Sequence, residues 1–302
     1  MSLPAPETSS IAVRLRDALA ALPRGERSVA RALLNAYPIA GLGTLAELAA
    51  RSGVSTPTVL RLLTRLGFEG FSDFQRALHV ELNERLANVY EDYRGDAVDQ
   101  GSIGAASLAL AAKALEGTAK AFTEEEFAFA VRLLSDSRLT VFATGGAFSQ
   151  SLASLLARHL AVLRSRVQCL PYGSAELMTA LAQAGRRDVL VVYDFRRYSE
   201  STLAVARHVA ERGGRVVLVT DRWLSPVAPF AESVLVARTE SASPFDSLTA
   251  ATALTEALIA GVSALLGTDG RVRAEAIAML DDVIAQEPRD GAIGTDKGDG
   301  GR

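Results

Sequence analysis

Short runs of consecutive apolar residues alternate with amphipathic stretches between residues 138 and 239. The longest runs read RLTVFATGG, DVLVVYD, RVVLVTD and SVLVART, and a shorter one, RVQCLP, follows the first of them. A strand that is apolar at every position is buried on both faces, which is typical of a parallel sheet covered by helices. We therefore predict an α/β domain over residues 105–286 with a five-stranded parallel sheet flanked by helices.

The preceding part of the chain has a helical pattern only. We expect helices over 10–22, 26–36, 44–53, 55–67 and 72–90. Ser and Thr three residues before Glu or Gln predict capping boxes at Thr44–Glu47 and Ser72–Gln75. These features predict an all-α domain over residues 1–90.

Two segments carry neither pattern. Residues 91–104, EDYRGDAVDQGSIG, are polar and contain glycine, so we interpret them as a linker. Residues 287–302 are rich in glycine and charge, and we expect a disordered tail there. The predicted order is a helical domain, a linker, an α/β domain and a tail.

Composition limits the classes of function. The chain is 49% hydrophobic and 22% charged, as expected for a globular protein with a substantial core. Its net charge of −3 gives no overall attraction to nucleic acid, so charge must be considered locally. The single cysteine, Cys169, excludes an internal disulfide framework and favours the reducing cytoplasm. We expect no membrane span, because arginine or aspartate interrupts every apolar run. His159 and His208 lack the spaced partners of a metal site, and we expect a structural role for His79.

The segment TLAELAARSGVSTPTVLRLLTRLG has two helical stretches joined by a glycine turn, the pattern of a helix-turn-helix. On the second helix Val59, Leu62, Leu63 and Leu66 share one face, while three polar side chains lie opposite. Hydroxyls and free N–H groups at a helix N-terminus suit phosphate, and arginines suit guanine edges or the backbone. The predicted DNA-binding residues are Thr44, Ser55, Thr56, Thr58, Arg61 and Arg65. Spacing alone leaves open that the two arginines only solvate a surface helix.

The longer stretch LPRGERSVARALLNAYP to LGFEGFSDFQRALHVEL resembles the N-terminal domain of RpiR/MurR-type bacterial transcription regulators. The shared pattern, ELA, SGVS, TV.R and LGF.GF.DF, extends over about sixty residues. This resemblance implies DNA binding at a palindromic operator by a homodimer or homotetramer.

Residues 105–270 resemble a sugar isomerase (SIS) domain, the usual companion of that helix-turn-helix. The resemblance implies a phosphosugar site at the carboxyl ends of the strands, built from a G-x-G-x-S loop and an S-x-S-G-x-T loop. In the first loop Gly145 is kept, but Ala143 replaces the first glycine and Ala147 the serine.

The second loop departs further from the SIS pattern. Asp194 and Arg196 fall on its two serines, Arg197 on its glycine and Ser199 on its threonine. Either arginine could clamp a carboxylate or phosphate bidentately. Alternatively, Asp194 pairs with one arginine and fills the vacated pocket. The predicted ligand-binding residues are Gly145, Gly146, Ser149, Asp194, Arg196, Arg197, Ser199 and Ser247.

The sequence thus predicts a transcriptional regulator that binds double-stranded DNA and senses a small anionic metabolite, a sugar phosphate, sugar acid or other carboxylate. We expect no catalytic activity, cofactor, metal or membrane partner; the G-x-G-x-x-G of nicotinamide-binding folds is absent. Two alternatives stay open. One is a phosphosugar isomerase or lyase with Glu176 as general base, and the other is a regulator whose ligand pocket is dead.

Overall fold

The computed structural model describes residues 10–35, 37–86, 103–171 and 173–286. The N-terminal part is all helical. Its elements are α1 (Ile11–Ala18), α2 (Arg24–Asn35), a short 3-10 helix (Ile39–Gly41), α3 (Leu45–Ser52), α4 (Thr56–Arg65) and α5 (Phe71–Leu86). Their apolar faces meet in one core that includes Leu15, Leu33, Leu62, Phe74 and Leu78.

The C-terminal part alternates strands with helices. Its elements are α6 (Ile103–Ala119), α7 (Glu124–Ser135), β1 (Thr140–Gly145), α8 (Gln150–Leu163), β2 (Val167–Cys169), α9 (Ala175–Ala182), β3 (Asp188–Asp194), α10 (Glu200–Glu211), β4 (Arg215–Thr220), a 3-10 turn (Ala228–Phe230), β5 (Ser233–Val236) and α11 (Thr249–Gln286). The five strands pair in parallel in the order β2-β1-β3-β4-β5. The predicted fold class is confirmed.

Helices cover both faces of the sheet because its strands are apolar on both. Residues such as Val141, Val191 and Val219 pack on one face beneath α7, α8 and α11. Their strand neighbours, such as Leu190, Val192 and Leu218, pack on the other face beneath α9 and α10. The carboxyl ends of the strands therefore form one edge between two helical layers, and loops 145–149 and 194–199 lie along it.

Local signals placed most helix ends to within about two residues, but the first helix, expected over 10–22, ends at Ala18. Thr44 and Glu47 form the predicted capping box, and Gly53 ends α3 with φ 64°, a left-handed conformation. The box predicted at Ser72–Gln75 is wrong, since α5 begins one residue earlier. The Asp73 carboxylate accepts a hydrogen bond from the Glu69 N–H, and the Gln75 amide reaches back to the carbonyls of 41–43.

Within the described chain, one helical stretch, Thr249–Leu280, is long and apolar enough by composition to cross a membrane, with mean hydropathy 1.6. The expectation that charge interrupts every such run was wrong, because Glu256 is an isolated charge. Leu254, Leu258 and Val262 pack into the core beneath the sheet, and non-helical dihedrals at Gly267 kink the helix. Core packing therefore accounts for one face of this helix, since 33% of its apolar window is buried.

Helix α1 belongs to both halves of the molecule. Ile11 and Leu15 lie in the helical core, whereas Ala12 and Val13 pack with apolar residues of the sheet domain. The Arg16 guanidinium donates to the Val234 carbonyl at 3.0 Å and lies 3.7 Å from the Glu126 carboxylate. The predicted 91–104 linker falls almost wholly outside the described residues, as does the predicted tail 287–302.

Candidate functional site

Helix α4 separates an apolar face from a polar one, as its sequence predicts. Val59, Leu62 and Leu63 are fully buried in the helical core. The opposite face exposes Ser55 and Arg61, and the two are linked by hydrogen bonds through Thr58. Ser55 makes no side-chain cap, and its hydroxyl lies 3.1 Å from that of Thr58. A polar face of this kind is typical of a recognition helix.

Arg65 has a second attachment that the sequence did not indicate. Its Nε donates to the Glu26 carboxylate on α2 at 2.9 Å, and the Glu26 side chain is only 7% exposed. One edge of the Arg65 guanidinium is therefore committed to a buried acid. Thr44 is likewise engaged, since its hydroxyl caps α3 by accepting from the Glu47 N–H. Of the predicted DNA contacts, Arg61 is the cation without a described ion pair.

The loop after β1 satisfies its own polar groups. The Ser149 hydroxyl accepts from the Gly146 N–H at 2.9 Å and donates to the Tyr193 carbonyl at 2.7 Å. The Gly145 N–H donates to the Gln150 side chain. A Cβ on Gly145 would lie 2.7 Å from backbone atoms of Ser149, so the close approach of the two segments requires glycine. The three predicted ligand residues of this loop, Gly145, Gly146 and Ser149, lie close together, but their polar groups form hydrogen bonds within the protein.

The loop after β3 forms an ion pair that sequence reasoning missed. The Arg196 guanidinium binds the Asp246 carboxylate through two N–H groups, at 2.6 and 3.2 Å, and lies 4.9 Å from the centre of the Trp223 ring. The Asp194 carboxylate accepts a hydrogen bond from Ser225. Nothing local in the sequence indicates that Arg196 has a partner fifty positions away.

Beneath this pair lies a buried acid. Asp221 accepts hydrogen bonds from the Tyr198 hydroxyl and from the backbone N–H groups of Arg196 and Trp223. Burial raises the pKa of Asp221 to about 6, although these three hydrogen bonds act in the opposite direction. The loop that replaces the S-x-S-G-x-T pattern is thus held from below by one carboxyl group.

Arg197 differs from its neighbour. Its side chain is exposed, and no ion pair joins it to an acid in the part of the chain that the structure describes. Its φ of 70° lies in the left-handed region that favours glycine, which agrees with its alignment on the family's glycine. Ser199 precedes α10, and its hydroxyl lies 2.6 Å from that of Ser201. Ser247 bonds only to Thr249 and the Thr239 carbonyl among the described contacts.

Glu176, the base that an isomerase would need, is poorly suited to that task. It is exposed in the first turn of α9, where a hydrogen bond from its own backbone N–H lowers the pKa of its carboxyl group. A general base works best with a pKa near the operating pH. No cluster of three His, Cys, Asp or Glu side chains that could hold a metal occurs among the described residues.

A helix-turn-helix domain with an exposed recognition helix, followed by an α/β domain with altered loops at its carboxyl edge, defines a two-domain DNA-binding and sensor architecture. Residues 10–85 match the family model for the helix-turn-helix domain of the rpiR family, and residues 133–261 match that for the SIS domain. The chain belongs to the RpiR family of helix-turn-helix transcriptional regulators.

Individual relatives agree with this assignment. An uncharacterized HTH-type transcriptional regulator of Haemophilus influenzae is 24% identical over 71% of this chain and 75% of its own length. The bifunctional protein glk of Burkholderia thailandensis is 25% identical over 76% of this chain, but the match spans only 35% of that longer protein.

Two solved structures share the fold. The sugar isomerase domain of an RpiR transcription factor from Sphaerobacter thermophilus aligns with a TM-score of 0.55 and 25% identity, covering 60% of this chain and 99% of that one. The Vibrio vulnificus NanR protein, complexed with ManNAc-6P, aligns with a TM-score of 0.52 and 20% identity, covering 90% and 98%.

Proposed function

We propose that this protein binds a palindromic operator through α4 and that an anionic metabolite at its SIS domain changes the affinity for DNA. The observation that carries the DNA-binding part is the polar face of α4 opposite its buried face, where the exposed Ser55 and Arg61 are joined through the half-buried Thr58. The hydroxyls there would contact phosphates, while Arg61 would reach a base edge or the backbone.

We propose that the working species is a homodimer or a homotetramer in the cytoplasm. One helix-turn-helix contacts too little DNA for specific binding at physiological salt. Two copies of α4 related by a two-fold axis would enter successive major grooves about 34 Å apart. The operator half-sites should therefore be separated by about one helical turn or a multiple of it.

For the sensor, we propose that the effector binds at the carboxyl edge of the sheet, beside loops 145–149 and 194–199. The NanR protein, which shares this fold, is complexed with ManNAc-6P, and this supports a small anionic effector. In this chain Arg196 is neutralised by Asp246, so Arg197 is the guanidinium best placed to meet an anion. We propose the remaining residues of these loops, and Ser247, as supporting rather than charge-bearing contacts.

We also propose that the protein lacks enzymatic activity. The exposed Glu176, with its lowered pKa, and the internally bonded Ser149 argue against a phosphosugar isomerase or lyase. The match to a bifunctional protein gives no opposing argument, since the chain corresponds to about a third of it. A regulator with a dead pocket stays the second alternative, because Arg196 and Asp246 fill part of the altered loop.

Fluorescence anisotropy with fragments of the protein's own promoter region tests the proposal. We expect the wild type to bind one fragment and Arg61→Ala to weaken that binding at least tenfold without a change in stability. Sugar acids, sugar phosphates and dicarboxylates are then added in turn. Absence of binding to any fragment at low salt would refute DNA regulation, and normal operator binding with no response to any metabolite would favour the dead pocket.

A further inference from the structure

A cavity of about 520 Å³ lies between α9 and α10, next to the altered loops. Its walls include Leu177, Met178, Leu181, Ala182 and Val205. Within the described chain, no Asp, Glu, Lys or Arg lines it, and the His208 ring is bonded to the Leu181 carbonyl. The volume lies within the range of small-molecule sites, which are mostly apolar with a few polar groups.

The cavity has a polar end and an apolar end, which lie toward opposite edges of the sheet. Thr144 stands one residue before the end of β1, and Ser201 and Thr202 lie in the first turn of α10, all at the carboxyl edge. Leu181 and Ala182 end α9, and His208 lies near the end of α10, toward the opposite edge. The hydroxyls of the cavity thus gather where α/β sheets bind ligands.

Thr144 provides an independent sign of a ligand. It is 3% exposed, and its hydroxyl has no hydrogen-bond partner among the described residues. Buried hydroxyls are nearly always paired, so an unpaired one at the wall of a cavity calls for a partner from outside the chain. The walls of the cavity beyond Thr144 are mostly apolar side chains of α9 and α10. They would leave the several hydroxyls of a sugar without hydrogen-bond partners.

We propose that this cavity binds a carboxylic acid whose apolar body is an acyl chain. The body lies between α9 and α10, and the carboxylate lies at the carboxyl edge near Thr144, Ser201 and the exposed Arg197. This inference rests on the proposed function, because it names the chemical class of the effector at the sensor domain. It predicts that sugar phosphates are poor effectors of this chain.

The probes are octanoate, butyrate, 1-octanol and glucose 6-phosphate, tested on the full-length protein. We expect octanoate to bind with one site per chain in calorimetry and to raise the melting temperature by about 5 °C at 100 times its Kd. Butyrate lacks the apolar body and 1-octanol the charge, so both should bind at least tenfold more weakly. Octanoate should also change operator affinity.

Two variants examine the cavity itself. Ala204→Trp places a large ring at the exposed rim of the cavity and should abolish octanoate binding, whereas Ala175→Trp, exposed on α9 outside the lining, should leave it unchanged. Thr144→Val should raise the melting temperature of the free protein by removing an unpaired buried hydroxyl. It should also weaken octanoate binding about tenfold.

The outcomes separate this inference from the proposed function. Operator binding that responds to glucose 6-phosphate and not to octanoate would overturn the apolar ligand and leave the regulator intact. The apolar ligand would also be overturned if Ala204→Trp left octanoate binding unchanged. It would likewise be overturned if light scattering showed that Ala204→Trp dissociates a dimer while octanoate has no effect on the wild type. Failure to bind any DNA would refute the proposed function instead.

Discussion

Arg197 has a left-handed backbone conformation and a side chain with no described ion pair. A substitution there can therefore raise the stability of the protein while it weakens the response to an effector. A non-glycine residue in the left-handed region costs about 1 kcal/mol, and such strain often persists at ligand sites. We expect Arg197→Gly to stabilise the protein by about 1 kcal/mol and to weaken the response to an anionic effector. Arg166, with φ 60° and also exposed, is the matched control. Arg166→Gly should stabilise similarly and leave the response unchanged; equal effects of both variants on the response would contradict the assignment.

Arg65 illustrates how a predicted DNA contact can have a structural role. Removal of its side chain leaves the Glu26 carboxylate, 5% exposed, without the charge that it binds. We expect Arg65→Ala to lower the free energy of unfolding by about 1–3 kcal/mol in urea titration. Glu26→Gln in the same chain should recover part of that loss without restoring DNA affinity. If Arg65→Ala reduced DNA binding with no loss of stability, the structural role of Arg65 would be excluded and its role would be to contact DNA.

Asp221 predicts a defined dependence of stability on pH. Its pKa is about 6 in the folded protein, above the ordinary 3.8, because burial disfavours the carboxylate. The native state therefore holds more protons than the unfolded chain between these values, and stability from this group falls as the pH rises from about 4 to 6. The upper limit of the change is about 3 kcal/mol. Denaturant titration at pH 4.5, 5.5 and 7 should show this fall in the wild type and not in Asp221→Asn. A parallel pH profile in the variant would contradict it.

The turn between α3 and α4 sets the position of the recognition helix. Gly53 adopts φ 64° with open space around its Cα, so a methyl group would meet no neighbour and the cost is one of backbone conformation. We expect Gly53→Ala to destabilise the protein by about 1 kcal/mol and to weaken operator binding. Gly104→Ala, in α6 with open space and no positive φ, should cause no loss. Thermal unfolding of both variants checks this; equal melting temperatures would exclude a special role for the turn.

Local signals account for what the sequence predicted at this scale, and long-range contacts account for what it missed. The Thr44–Glu47 box and the Gly53 turn depend on residues three to nine apart, so a pattern reveals them. The parallel sheet follows from uninterrupted apolar runs. By contrast, the Arg196–Asp246 pair and the Arg65–Glu26 pair join residues 50 and 39 positions apart. No periodicity encodes such partners, and so the predicted anion clamp included an arginine that is already neutralised.

At the scale of the whole molecule, α1 determines how the DNA-binding domain meets the sensor. The sequence indicated an ordinary first helix, because amphipathic spacing cannot show that two faces pack on two different domains. Ile11 and Leu15 are fixed in one core, and Val13, 5% exposed, packs in the other. Leu34 and Tyr37 of the helical domain also pack against the sheet domain. An effector can alter DNA affinity only if it favours one relative placement of the two domains, and we expect α1 to transmit such a preference.

Val13→Asp tests this coupling, because it places a carboxylate against the sheet domain without altering the helical core. An unpaired buried charge costs several kcal/mol, so the contact between the domains should open. We expect one unfolding transition for the wild type in calorimetry and two for the variant. The variant should still bind its operator but lose its response to effector, whereas Ala20→Asp, which places the same charge at an exposed position just after α1, should behave as the wild type. An intact effector response in Val13→Asp would mean that the signal reaches α4 by a route other than α1.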